Sequence, residues 1–112
     1  MSPDNLLLAL VIAYFGWRVL SSLLVRRRLP ALLKDGAQVV DVRNPAEFAG
    51  GHAPNSVNIP LAKIDARAGE LDKGRQVIVC CASGTRSAMA AHRLRRLGFG
   101  RVLNAGSWRA LR

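Results

Sequence analysis

The sequence predicts an α/β fold, a parallel sheet flanked by helices, preceded by one transmembrane helix. Three observations carry this. Leu6–Val25 is a 20-residue apolar run whose single charge is Arg18. After it, short β-branched runs alternate with segments of helical spacing, the signature of parallel strands joined by crossover helices. Third, Cys81-Ala82-Ser83-Gly84-Thr85-Arg86-Ser87 places a cysteine between a buried strand and a helix N-terminus. In open parallel sheets, ligands bind at that carboxyl end of the strands.

Taken in order, residues 1–5 form a short extracytoplasmic N-terminus. Residues 6–25 are long enough, at 1.5 Å per residue, to cross a bilayer core of about 30 Å. The run holds twelve Leu, Ile, Val and Phe residues. They favour insertion by about 4–7 kcal/mol in sum, whereas Arg18 costs at most about 2.5–3.5 kcal/mol and can snorkel. The first five residues lack positive charge and no small-x-small cleavage site follows, which argues against a cleaved signal peptide. Arg26-Arg27-Arg28 opens a basic linker, 26–29, and by the positive-inside rule puts the remaining domain, 30–112, in the cytoplasm of a single-pass inner-membrane protein. Tyr14, Arg18, Ser21 and Ser22 share one helical face.

Leu29-Pro30 is expected to break the helix, because the residue before proline avoids the α region. A short helix from Pro30 to Asp35 then ends at Gly36. Strands are expected at 38–42, 56–59, 76–80 and 101–104. Between them the spacing predicts a helical turn or two at 45–50, a helix at 61–71 with Leu61, Ile64, Ala68 and Leu71 on one face, and a helix at 87–97 capped by Gly98. Residues 107–112 suggest one helical turn.

The loop supplies the chemistry. Unpaired amides and the helix dipole favour an anion after strand 76–80, so Cys81 is expected to be partly thiolate, its nucleophilic form. Arg86 adds a fixed positive charge. Cys80 should sit in the core, since side chains alternate along a strand. The adjacent cysteines argue against a structural disulfide, because their Cα atoms lie about 3.8 Å apart, closer than an unstrained bridge allows. That fits a reducing compartment.

Composition bounds the partners. The chain has 112 residues, 17 Lys and Arg against 7 Asp and Glu, and a net charge of +10. Half the residues are hydrophobic, which excludes a disordered basic tail. Arginines gather between Arg93 and Arg112, yet only Phe99 and Trp108 accompany them, too few for a nucleic-acid stacking platform. Anionic lipid around residues 6–28 is the simpler partner. His52 is expected in a structural turn and His92 on a solvated helix face. No metal site or cofactor is expected.

The chain resembles the rhodanese-like sulfurtransferase family. The resemblance rests on Val40-Asp41-Val42-Arg43, Pro45-Ala46-Glu47-Phe48, Gly51-His52-Ala53-Pro54, Asn58-Ile59-Pro60, the Cys81–Ser87 loop, Leu97-Gly98-Phe99 and Asn104-Ala105-Gly106-Ser107-Trp108, in that order. It covers roughly residues 29–108. Here the strand that opens many family members is replaced by the apolar segment. The resemblance implies that Cys81 takes a sulfane sulfur from a donor such as thiosulfate, holds it as a persulfide and passes it to a thiol or cyanide-type acceptor. It implies that the amides of Ala82, Ser83, Gly84, Thr85 and Arg86 cradle that sulfur and that Arg86 binds the anionic donor. Asp41, Arg43 and Ser87 would support the loop. The six-residue Cys-x4-Arg loop matches sulfurtransferases, while related phosphatases and arsenate reductases have one residue more. A sulfur-relay or scaffold module docking a protein partner is the alternative.

Overall fold

The computed structural model describes residues 2–112. Met1, first residue of the expected extracytoplasmic N-terminus, lies outside them. Four strands form one sheet in the order β2-β1-β3-β4, and every pairing is parallel. They are β1 (Gln38–Asp41), β2 (Val57–Asn58), β3 (Val77–Cys81) and β4 (Val102–Ser107). Among the described residues, four α-helices accompany them: α1 (Pro3–Lys34), α2 (Pro45–Ala49), α3 (Ile64–Arg67) and α4 (Thr85–Arg96). A parallel sheet flanked by helices is therefore the architecture.

Helix α1 corrects one expectation. It runs unbroken through Pro30, so no separate helix begins there. A proline inside a helix removes one hydrogen bond and costs about 3 kcal/mol. Burial offsets that cost, since Leu29 is 2 % exposed and Leu32 and Leu33 pack with it against Ile78, Trp108 and Leu111. The helix stops where expected. Gly36, at φ +87°, donates to the Leu33 carbonyl and Ala37 to that of Leu32, the paired bonds that close a helix C-terminus. Toward its N-terminus the apolar side chains stay exposed, Leu7 by 63 % and Trp17 by 66 %, and the helix is long and apolar enough to cross a membrane.

The alternation of side chains along β3 divides the core. Val77, Val79 and Cys81 face Ile64, Ala90 and Leu94 of α3 and α4. Ile78 and Cys80 face Leu29, Ala53, Trp108 and Leu111 on the opposite side. Leu61–Glu70 is not the single helix expected: a 3-10 turn, α3 and a second 3-10 turn follow one another. The inward residues explain it, because Leu61 to Ile64 and Ala68 to Leu71 are each three apart, the period of a 3-10 turn. Two further boundaries differ. Strand β3 includes Cys81, and α4 begins at Thr85, which leaves a loop of only Ala82, Ser83 and Gly84. Strand β4 continues to Ser107 because Ala105 is the extra residue of a bulge, so that Cys80 registers with Gly106 and Cys81 with Ser107.

Candidate active site

Cys81 ends β3 and is 1 % exposed. Its Sγ accepts a hydrogen bond from the Gly84 amide at 2.9 Å and lies 3.3 Å from Ser87 Oγ. Gly84 is the N-cap of α4 at φ +103°, and a Cβ there would meet Gly106 Cα at 3.3 Å. Only glycine turns the loop so sharply and so close to β4. Burial pushes the Cys81 thiol up, but the Ser87 hydroxyl and the amides of Ser87, Gly84 and Ser83 outweigh it, and the pKa falls below the ordinary value. Cys80 is the opposite case. Burial, with Asp41 nearby, pushes its thiol up to about 12. Of the two free cysteines, one is tuned toward thiolate and the other away from it.

Ser87 has one hydroxyl proton and two neighbours. Its Oγ donates to Asn104 Oδ1 at 2.7 Å, so a protonated Cys81 thiol can donate to Ser87. When Cys81 ionises, Ser87 can turn its proton to the sulfur, because Asn104 Oδ1 keeps the Gly106 amide at 2.8 Å. Asn104 Nδ2 also donates to the Gly84 carbonyl at 3.1 Å. One asparagine thus ties the loop, the serine and the bulge together.

Arg86 faces Glu47, with Nη1 donating to Oε1 at 2.7 Å and Nη2 to Oε2 at 3.1 Å. The Arg86 guanidinium holds the Glu47 carboxyl down at about 2. Glu47 also closes a capping box with Asn44 at the start of α2. Any anion that takes Arg86 therefore competes with a carboxylate already in place.

Asp41 and Arg43 form a buried pair. The guanidinium donates to both carboxylate oxygens at 2.8–3.0 Å and to the Gly51 carbonyl at 2.7 Å, and it lies 4.8 Å from the centre of the Trp108 indole. Among the described residues, their side-chain hydrogen bonds run to each other and the local backbone, not to residues 82–87, and Asn58 Nδ2 donates to their main-chain carbonyls. Ala82 and Ser83 are exposed on the loop and Thr85 at the start of α4, Gly84 and Arg86 are half-buried, and Ser87 is buried. His52 stacks on Phe48 at 3.8 Å and donates from Nδ1 to its carbonyl at 2.8 Å, which is turn structure. Among the described residues, no cluster of three His, Cys, Asp or Glu side chains is placed to hold a metal ion.

Sequence reasoning missed two residues here. Glu47 carries a capping signal, which accounts for its local bonds and hides its reach to Arg86, 39 positions away. Asn104 carries no signal beyond its place in the string before Trp108.

The family model for the rhodanese-like domain matches residues 26–111. A sulfurtransferase of Allochromatium vinosum is 44% identical over 66 residues, which is 59% of this chain and 62% of that one. The chain thus spans less than two thirds of that relative. The uncharacterized protein YqhL of Bacillus subtilis is 31% identical over 109 residues, covering 90% of this chain and 86% of its own. A solved E. coli rhodanese, described with anions, superposes with a TM-score of 0.63 at 32% identity, covering 67% of this chain and 91% of that one. With the parallel sheet and the cysteine loop at its carboxyl edge, these likenesses show that the chain belongs to the rhodanese-like family of sulfurtransferases and sulfur carriers.

Proposed function

We propose that this protein is a membrane-anchored sulfurtransferase working through a Cys81 persulfide. The Cys81 thiolate attacks the outer sulfur of a small anionic donor such as thiosulfate, and sulfite leaves with the electron pair of the broken S–S bond. A thiol or cyanide-type acceptor then takes the outer sulfur and restores the thiolate. The amides of residues 82–86 cradle the developing charge, Arg86 binds the donor anion, and Ser87 stabilises the thiolate. Asp41 and Arg43 hold the floor beneath Trp108 rather than the loop itself. The anchor is residues 6–25, with 1–5 outside the inner membrane, a basic stretch 26–29 and the domain 30–112 in the cytoplasm, Leu29 being already seated in the domain core.

The observation that carries the reading is the pairing of a Gly84 amide and a Ser87 hydroxyl on Cys81 Sγ, with the thiol pKa lowered. The E. coli rhodanese described with anions supports an anionic donor. The test is sulfite release from thiosulfate with cyanide present. Wild type and Cys80→Ser should turn over and Cys81→Ser should not; activity surviving in Cys81→Ser would refute the reading. Sulfur relay with little turnover is the second reading, and it predicts one sulfite per protein and then none.

A further inference from the structure

A crevice of about 780 Å³ separates part of α1 from the domain. Cys81, Ala82 and Arg86 do not line it, so it stands apart from the reacting sulfur. On the helix side its wall includes Trp17, Arg18, Ser21, Ser22 and Arg26; on the domain side it includes Met89 of α4 and Ser107 of β4. A second recess shares Arg26 and Ser107 and adds Arg109.

Three features of this wall have no use in the fold. Trp17 and Met89 are apolar, yet they stay 66 % and 49 % exposed on opposite sides, so neither wall fills the other. The Ser21 hydroxyl is buried with no hydrogen-bond partner among the described residues, and a polar group left so is costly. Arg18, Arg26 and Arg109 bring three cations, none of them in a salt bridge among the described residues, and no acidic side chain lines either recess. Arg18 donates only to Tyr14 Oη, at 3.3 Å. Residues four apart are neighbours on a helix face, so Ser22 lies between Arg18 and Arg26, and the three border one groove. A phosphate at the level of Ser22 is within reach of both guanidiniums and both serines.

The occupant must be anionic and also apolar. A free phosphate would satisfy the cations and hydroxyls but leave Trp17 and Met89 facing water. A zwitterionic lipid carries its own cation into a site that has only cations. An anionic phospholipid meets both demands, with its phosphate at the arginines and its acyl chains against Trp17 and Met89. The place agrees with the chemistry. The crevice borders the C-terminal part of the apolar stretch, next to Arg26-Arg27-Arg28, where the positive-inside rule puts the cytoplasmic leaflet with its anionic lipids. We infer that the crevice between α1 and the domain is a binding site for one anionic phospholipid, its phosphate held by Arg18, Arg26 and the Ser21 hydroxyl. The inference rests on the membrane reading of residues 6–25 and adds a specific lipid to it.

The experiment is native mass spectrometry of the full chain in non-ionic detergent micelles, given equal amounts of dioleoyl phosphatidylglycerol and dioleoyl phosphatidylcholine. Wild type should retain one phosphatidylglycerol in preference to phosphatidylcholine by about tenfold or more, since each arginine near an anionic headgroup is worth about fivefold. Arg18→Gln and Arg26→Gln should each lower that preference about fivefold. Arg27→Gln removes the same charge from an exposed position that lines neither recess, and should leave the preference unchanged. Equal retention of the two lipids overturns the inference. So does an equal loss in Arg26→Gln and Arg27→Gln, which would be general attraction to the basic run. Displacement of the lipid by millimolar inorganic phosphate overturns it as well, because the site would then be one for the free ion. A separate arm tests the anchor alone: wild type reconstituted in phosphatidylcholine vesicles should float with them after an alkaline carbonate wash. Extraction by the wash overturns the membrane reading, and the inference with it; retention leaves any failure in the micelle experiment to count against the crevice.

Discussion

Replacing Ser87 by alanine removes one hydrogen bond from the Cys81 sulfur and the one its hydroxyl donates to Asn104 Oδ1. Ser87 is fully buried, and its hydroxyl lies 3.3 Å from Sγ. Asn104 Oδ1 keeps the Gly106 amide at 2.8 Å, so the change leaves no buried acceptor without a partner. A hydrogen bond to a charged group contributes about 1.5–3 kcal/mol. Losing it lowers the thiolate fraction on the acid limb of the Cys81 titration by about one to two orders of magnitude. The more basic thiolate is also the better nucleophile, with a Brønsted slope of about 0.4–0.5, which recovers roughly half of that loss on a logarithmic scale. Single-turnover sulfite release from thiosulfate, followed between pH 5 and 10, should therefore be about three- to tenfold slower in Ser87→Ala on that acid limb and as fast or faster on the alkaline plateau. Cys80 does not intrude, because burial holds its thiol at about 12. Superimposed profiles, or an equal loss at every pH, would refute the role given to Ser87.

Four further outcomes are expected. Glu47→Gln keeps the capping box, which glutamine also closes, and frees Arg86; the thiosulfate KM should fall about two- to fivefold at low salt, and an unchanged or higher KM would count against donor binding by Arg86. Because the folded-state pKa of Glu47 is depressed to about 2 from 4.5, the pair's stabilisation is complete above pH 4.5 and fades as pH falls toward 2; an acid titration of wild type and Glu47→Gln should converge in that window. Leu29→Ala should destabilise the domain by about 2–5 kcal/mol in urea, whereas Leu7→Ala, on the exposed part of α1, should change it by no more than about 0.5 kcal/mol. Gly84→Ala should cost at least about 1–2 kcal/mol and slow persulfide formation, since its left-handed φ and the 3.3 Å approach to Gly106 displace the amide that bonds Cys81.

What was legible in the sequence follows from local physics. Strands β1 and β3 are buried β-branched runs, α2 carries a capping box, and α4 is closed just past its end by Gly98 with the bonds its glycine implies. The cysteine loop announced itself by composition and place. What was hidden depends on distant partners. Pro30 reads as a breaker until Leu29, Leu32 and Leu33 are seen packed on Ile78 and Trp108. The bulge at Ala105, which sets Ser107 opposite Cys81, leaves no mark in a period-2 pattern. Asp41 and Arg43 were expected to brace the loop, yet their charges are spent on each other and on Gly51, while Glu47 and Asn104 hold the loop from segments 39 and 20 residues away.

The most direct test of the central claim is peptide-resolved mass spectrometry of the full chain after brief exposure to thiosulfate under non-reducing conditions. The account predicts a gain of one sulfur atom on the Cys81 thiol, reversed by cyanide, and no gain in Cys81→Ser. Sulfur retained on Cys80, or none on either cysteine, would contradict it.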